Sequence, residues 1–312
     1  MLARLQQAIT FGLLLCAAAW LLGWWRTSPA TAIAGALAVL LGHAFFLGLE
    51  MLAMRRVNRD DPAPPAGVLQ VLRAWLHETV VAPQVFCWRQ PFLANAVPDW
   101  LPADAGRRQG VVLIHGLVCN RGFWTPWLRA LRQRGHAFVA VDLEPVSADI
   151  EAYRATVEAA VARVQAATGR PPVLVCHSMG GLVARDWLRC GPNTARVARV
   201  FTLGSPHSGT WLGRYARSAS GLQMRPSSPW LAALARSETP DLRALFSCWY
   251  SNCDNVVFPA STATLPGADN HFVAGLPHVA LAFDRRVMAA VLQEIDALSD
   301  KNRKASQTTP PI

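Results

Sequence analysis

Charge is scarce in this 312-residue chain: Asp, Glu, Lys and Arg together make up 16% of it, while 52% is hydrophobic. So little charge in so apolar a chain points to a part that belongs in lipid rather than water. Lysine is nearly absent, since 28 of the 30 basic residues are Arg and the two lysines, Lys301 and Lys304, stand at the C-terminal end. The formal net charge is +10, yet the arginines are scattered, with no dense basic tract and no zinc-finger spacing. A nucleic-acid partner is therefore not expected. Also missing are C-x-x-C pairs, Cys/His ligand spacings and an EF-hand loop, so no metal and no other cofactor is expected. Of the seven cysteines, Cys248 and Cys253 could pair only in an exported domain. The simpler reading is small buried thiols in a reducing compartment. The length excludes a peptide or a disordered tail and allows one large α/β domain or two smaller ones.

What is present first is long hydrophobic runs. Residues 8–25 carry no charge, and after Arg26-Thr27-Ser28-Pro29 a second uncharged run covers 30–49. Each suits a helix crossing a hydrocarbon core of about 30 Å. Trp20, Trp24 and Trp25 crowd the end of the first run, where an indole gains by sitting at headgroup level. The pattern predicts a two-helix transmembrane hairpin within residues 1–57. A cleaved signal peptide followed by a core helix competes with it, but only one basic residue precedes the first run and an equally long run follows. Arg4 lies before the first span, Arg26 alone in the turn, and Arg55, Arg56 and Arg59 after the second. By the positive-inside tendency both ends face the cytoplasm, giving a multi-pass inner (cytoplasmic) membrane protein with the rest of the chain on the cytoplasmic side. The bilayer is thus an expected partner.

Residues 58–67 (NRDDPAPPAG) read as a stiff proline-rich linker separating hairpin from domain. Over 68–81, apolar residues at Val68, Leu69, Val71, Leu72, Trp75 and Leu76 predict a helix with one apolar face, expected to pack on the domain rather than on the bilayer. From Gly110, β-like runs at 111–114, 137–141, 173–175 and 200–203 alternate with helical stretches at 124–134, 150–167 and 180–189. Such alternation predicts an α/β fold with a mostly parallel central sheet covered by helices on both faces. The domain is expected over 68–298, closed by a helix at 280–298, with a flexible polar tail at 299–312.

The chemistry centres on Cys176-His177-Ser178-Met179-Gly180-Gly181, between the third strand and a helix. A serine on a tight strand-to-helix turn is pushed out of the sheet, its Oγ near the positive helix end, where a nucleophile belongs. The usual spacing is Gly-x-Ser-x-Gly, and Cys176 replaces the first glycine. After the first strand comes His115-Gly116-Leu117. Its turn aims the Leu117 amide, with that of Met179, at a developing oxyanion, while His115 and Gly116 support the loop. A serine hydroxyl also needs a base and a carboxylate that orients it. Acid then histidine downstream of the serine gives Asp254, opening a loop after a strand at 245–250, and His278, just before the last helix. Asp269 and His271 are weaker rivals, the first readable as a turn residue and the second as part of a last strand.

These residues resemble the α/β-hydrolases, more narrowly the bacterial triacylglycerol lipase/esterase group and relatives of the GPI-inositol deacylases. The stretches that carry the resemblance are VVLIHGL (111–117), VLVCHSMGGLVAR (173–185), TLGSPHSGT (202–210), DNVVFP (254–259) and PHVALAFDRRV (277–287). The resemblance implies an α/β-hydrolase fold, a lipid or acyl ester substrate, and a lid-like insert at 210–245. The apolar Trp211, Leu212, Leu222, Met224, Trp230, Leu231 and Leu234 there either cover an acyl pocket or cap the core. Some such lipases bind a structural calcium near the histidine, but no metal is expected from Asp254, Asp269 and Asp284. The expected activity is cleavage of carboxylic esters through a Ser-His-Asp triad. An acyltransferase using the same triad and a silent membrane-tethered interaction domain are the alternatives.

Overall fold

The computed structural model describes residues 1–190 and 193–308. Among the described residues six strands, β1 (Val111–Ile114), β2 (Phe138–Ala140), β3 (Val173–His177), β4 (Arg199–Leu203), β5 (Phe246–Tyr250) and β6 (Asp269–Phe272), form one sheet in the order β2-β1-β3-β4-β5-β6. Every neighbouring pair is parallel. Because successive side chains point to opposite faces, a strand apolar at every position needs cover on both sides. Val112, Ile114, Leu174 and Val200 pack under Val157, Val161, Leu182 and Val183. Val111, Leu113, Val175 and Phe201 face Trp124, Trp127, Val287 and Ile295 on the other side. On the edge strand β6, Asp269 and Asn270 are exposed and His271 and Phe272 half-buried.

Ahead of the sheet stand two helices long and apolar enough to cross a membrane, α1 (Leu2–Trp25) and α2 (Pro29–Val57). At about 1.5 Å per residue, α1 is about 36 Å long. Ser28 ends the turn between them by accepting the Thr31 N–H at 3.3 Å, with Pro29 in the first helical position, where its missing N–H costs nothing. The second helix outruns the expected span and buries Met51 and Met54 against Phe258 and Cys253. Both ends of the hairpin lie against the domain, Met1 beside Glu144 and Glu50 bonded to Asn255.

Residues 58–67 do not act as a spacer. Asn58 is buried, donating to the Asn252 carbonyl at 3.2 Å and accepting the Ala260 N–H at 3.1 Å, while Asp61 accepts the Ser261 N–H at 3.1 Å. Those polar groups, not visible as partners in the sequence, fasten the segment to the loop after β5. Next, α3 (Val68–Pro83) corrects a second expectation. It turns Val71, Ala74 and Glu78 inward and leaves Val68, Leu69, Leu72, Leu76 and Val80 between 46% and 66% exposed. The apolar face points away from the domain because the opposite face is held to it by Glu78, which accepts the Val279 and Ala280 N–H groups, while Trp75 Nε1 donates to the Ala44 carbonyl of α2 at 2.7 Å.

Within 210–245 lie three short helices, Ala219–Gln223, Pro229–Ser237 and Pro240–Ala244. Met224, Leu231 and Leu234 belong to the main core with Trp230 packed on it, Trp211 and Leu212 pack beside the α2 methionines, and Leu222 is 41% exposed. Capping the core accounts for most of the insert's apolar residues. A buried Arg185 clamps its far end, donating to Glu238 at 2.6 and 2.9 Å. The expected closing helix is two, His278–Leu281 and Arg285–Thr308, because Asp284 caps the second by accepting the Arg286 N–H at 2.9 Å. That helix continues to Thr308, through much of the expected tail, of which residues 309–312 lie outside the described residues. Cys248 and Cys253 are separate buried thiols.

Candidate active site

The expected site residues follow the carboxyl ends of β1, β3, β5 and β6, on one edge of the sheet. Since β2 and β3 flank β1 on opposite sides, the chain reverses direction there, the place where open α/β sheets leave a crevice for a ligand. Ser178 stands between β3 and the helix Met179–Arg189 with φ +53° and ψ −127°. A residue with a Cβ avoids that region, so its surroundings must hold it. Its N–H donates to Leu203 at 3.0 Å and its carbonyl accepts from Gly181 at 3.1 Å.

Glycines make the turn possible. A Cβ on Gly180 would stand 2.3 Å from the Ile114 carbonyl oxygen, one on Gly181 2.3 Å from Ser205 Oγ, and one on Gly116 2.8 Å from Ser178 Cβ. Cys176, by contrast, lies fully buried on β3 in register with Ile114 and Thr202, its side chain part of the core. Cysteine therefore replaces the motif's first glycine without meeting the serine. Burial pushes the Cys176 thiol up, so it stays protonated and is no rival nucleophile.

Beside the serine, the N–H groups of Leu117 and Met179 have no hydrogen-bond partner among the described residues. Val118, just after Leu117, also takes a left-handed φ of +56°. His115 props this loop from below: its Nδ1 lies 2.9 Å from the Gly116 carbonyl and its Nε2 accepts the Leu143 N–H at 3.2 Å. With Nε2 accepting, Nδ1 carries the proton and the ring is neutral, in keeping with burial, which holds its pKa down.

Asp254 and His278 meet. His278 Nδ1 lies 2.9 Å from Asp254 Oδ2, and the other carboxylate oxygen accepts the Val256 and Val257 N–H groups at 2.9 and 2.7 Å. Burial disfavours the imidazolium, but the Asp254 charge and hydrogen bond together with the Glu78 and Glu50 charges outweigh it, leaving the His278 pKa raised. The Ser178 hydroxyl and the imidazole are not hydrogen-bonded among the described residues; such bonds are often long before substrate arrives. The rivals sit elsewhere: Asp269 on β6 pairs with Arg199, and His271 stacks on Trp249 with ring centroids 4.6 Å apart.

Three residues that the sequence did not single out also shape the site. Gly204, at φ +60°, lies against the pair, so that a Cβ would stand 2.8 Å from Asp254 Oδ2 and 3.3 Å from His278 Nδ1. Asn255 Oδ1 accepts the His278 N–H at 3.2 Å. His177 Nε2 lies 3.2 Å from the His278 carbonyl and its ring is 4.6 Å from the His278 ring. Burial and then the neighbouring His278 charge push the His177 pKa well down, so it remains a neutral donor. Only Asn255, next to the acid, had a local signal; Gly204 and His177 act through contacts across the sheet.

The pattern described as the Alpha/beta hydrolase family matches residues 111–305. No curated protein compared with the chain matches it. Among solved structures, the mature form of the Bacillus licheniformis lipase BlEst2 is similar at 18% identity, with a TM-score of 0.54 over 64% of this chain and 94% of that one. Its propeptide form has 18% identity and a TM-score of 0.53, with 62% of this chain and 52% of that one covered. At such identity these likenesses bear on the fold. The family match begins at β1, takes in Ser178, Asp254 and His278, and excludes α1, α2 and α3: this chain belongs to the α/β-hydrolase family.

Proposed function

We propose that the protein is a membrane-anchored serine hydrolase that cleaves carboxylic esters of lipids or other acyl compounds. The observation that carries this is the buried Asp254–His278 pair, 2.9 Å apart, on the sheet edge from which the constrained Ser178 emerges. Because Asp254 holds the Nδ1 proton, His278 Nε2 is free to act as a base.

In this mechanism Ser178 Oγ attacks the ester carbonyl carbon while its proton passes to His278 Nε2. The negative charge on the former carbonyl oxygen rests on the Leu117 and Met179 N–H groups, which no other group of the described residues engages. Collapse breaks the bond to the leaving alkoxide, which takes the proton from His278, and leaves an acyl group on Ser178. Water, deprotonated by His278, then hydrolyses the acyl-enzyme.

The lipid preference rests on the chain outside the family match. Both ends of the α1–α2 hairpin lie against the domain, and α3 exposes its apolar face. This favours an integral anchor over a detachable leader, with the site held within reach of acyl lipids. The arginines at the hairpin's domain end favour the cytoplasmic side of the inner membrane for the catalytic domain. An alkyl fluorophosphonate, which labels activated serines, tests the reading: Ser178 is expected to be the labelled residue, located by peptide mass. Labelling that persists in Ser178→Ala would contradict it.

A further inference from the structure

We propose that Glu78 is a positioning residue for His278, tying the catalytic base to a helix that lies outside the hydrolase core. The inference rests on the reading of His278 as the base.

On α3 the inward positions are Val71, Ala74 and Glu78, a spacing that lines one helix face. A carboxylate 1% exposed at the end of such a face is costly unless hydrogen-bonded. Both oxygens are engaged: Oε1 accepts the Val279 N–H at 2.7 Å and Oε2 the Ala280 N–H at 3.1 Å. These donors open the helical turn His278–Leu281 and would otherwise lack partners. Glu78 thus supplies, from 201 residues earlier in the chain, the acceptor that the turn lacks locally. The N–H of His278 itself goes to Asn255, whose amide donates to Glu50 of α2 at 2.7 Å. Three consecutive N–H groups starting at the histidine are therefore held by side chains, two directly from α3 and one through a relay to α2.

Two oxygens that both accept backbone N–H groups favour the anion. Burial pushes the Glu78 pKa up to about 7, against the pull of the Val279 N–H and the His278 charge. The charged groups that act on this carboxylate are His278 and, with opposite effect, Asp254. His278 in turn feels Asp254 first, then Glu78 and Glu50, each favouring its imidazolium. Removing the Glu78 charge lowers the His278 pKa and also removes an ionisation near neutrality that loosens the turn. Both effects move the acid limb of activity to lower pH.

The test is Glu78→Gln in the full-length protein, solubilised in detergent, with active sites counted by a fluorophosphonate. Gln keeps one acceptor oxygen and presents an amide N–H₂ to the second backbone donor. The expected result is a kcat per titrated site lower by about tenfold, the scale of one hydrogen bond to a buried charge, with KM unchanged. The acid limb of kcat/KM moves to lower pH. A merely structural role would reduce the number of titrated sites without moving that limb. A kcat per site equal to wild type, or an unmoved limb, overturns the proposal. Should Glu78→Gln fail to accumulate, Glu78→Asp is read instead. It keeps the charge but withdraws the oxygens, so a lower kcat with the acid limb in place supports the proposal, and an unchanged kcat overturns it. A wild type that neither hydrolyses esters nor labels removes the reading of His278 as the base, and this proposal with it.

Discussion

Gly204 has its Cα hydrogens where a methyl group would stand 2.8 Å from Asp254 Oδ2 and 3.3 Å from His278 Nδ1. The carboxylate–imidazole pair is thus backed by bare main chain, at a position whose φ of +60° also favours glycine. Gly204→Ala is expected to push the pair apart and lower kcat by about 10², the scale of a misplacement near 1 Å. Steady-state kinetics corrected for fluorophosphonate-titrated sites checks this; an unimpaired Gly204→Ala would mean that the pair tolerates displacement.

Asp254→Asn keeps the shape of the pair but offers an N–H₂ toward Nδ1, favouring the tautomer with its proton on Nε2. The expected loss in kcat is about 10³–10⁴, with KM little changed. Parallel measurement on Asp269→Asn should show wild-type kcat, since Asp269 is spent on Arg199 at the sheet edge.

Activity should also follow the protonation of His278. The base must be neutral, and its pKa is raised because the Asp254 charge and hydrogen bond, with the Glu78 and Glu50 charges, outweigh the effect of burial. Accordingly kcat/KM rises with pH through a value above the ordinary histidine pKa of about 6.5. In Asp254→Ala the charge that stabilises imidazolium is gone while burial remains, so the residual activity should show its acid limb at lower pH. A limb at the same pH in both proteins would assign it to another group.

The strands and the serine turn were legible because their signals are local. Apolar runs alternated with helical spacing, and the Ser178 turn needs small residues at fixed offsets. The structure also explains why Cys176 in place of the usual glycine does no harm: its side chain points into the core, while the steric demand falls on Gly180 and Gly181. Cys176→Ala should therefore keep wild-type kcat and lose about 1 kcal/mol of stability, whereas Gly180→Ala should abolish labelling. Less legible was everything set by contacts distant in sequence. Spacing showed that α3 has an apolar face but not which way it turns, because its orientation follows from Trp75, Glu78 and their partners. Asn58 and Asp61 looked like linker residues for the same reason. Their acceptors and donors lie about 200 residues away, at Asn252, Ala260 and Ser261.

Arg185 and Glu238 form a charge pair with both side chains almost wholly buried, and Arg185 also donates to the His207 carbonyl at 2.7 Å. Removing Arg185 takes away both short bonds to Glu238 and leaves that buried carboxylate the longer contact from Arg243 Nε at 3.3 Å. Arg185→Ala is expected to cost about 3–5 kcal/mol, read as a drop in denaturation midpoint of the solubilised protein. A loss near zero would show that the 210–245 insert is held by its apolar contacts alone.

The central claim is tested most directly by hydrolysis of a p-nitrophenyl ester series from acetate to palmitate, with wild type and Ser178→Ala purified side by side in detergent. The account predicts turnover by wild type, greatest on the longer acyl chains, and none above background in Ser178→Ala. Equal rates in the two proteins, or no turnover in either across the series, would contradict it.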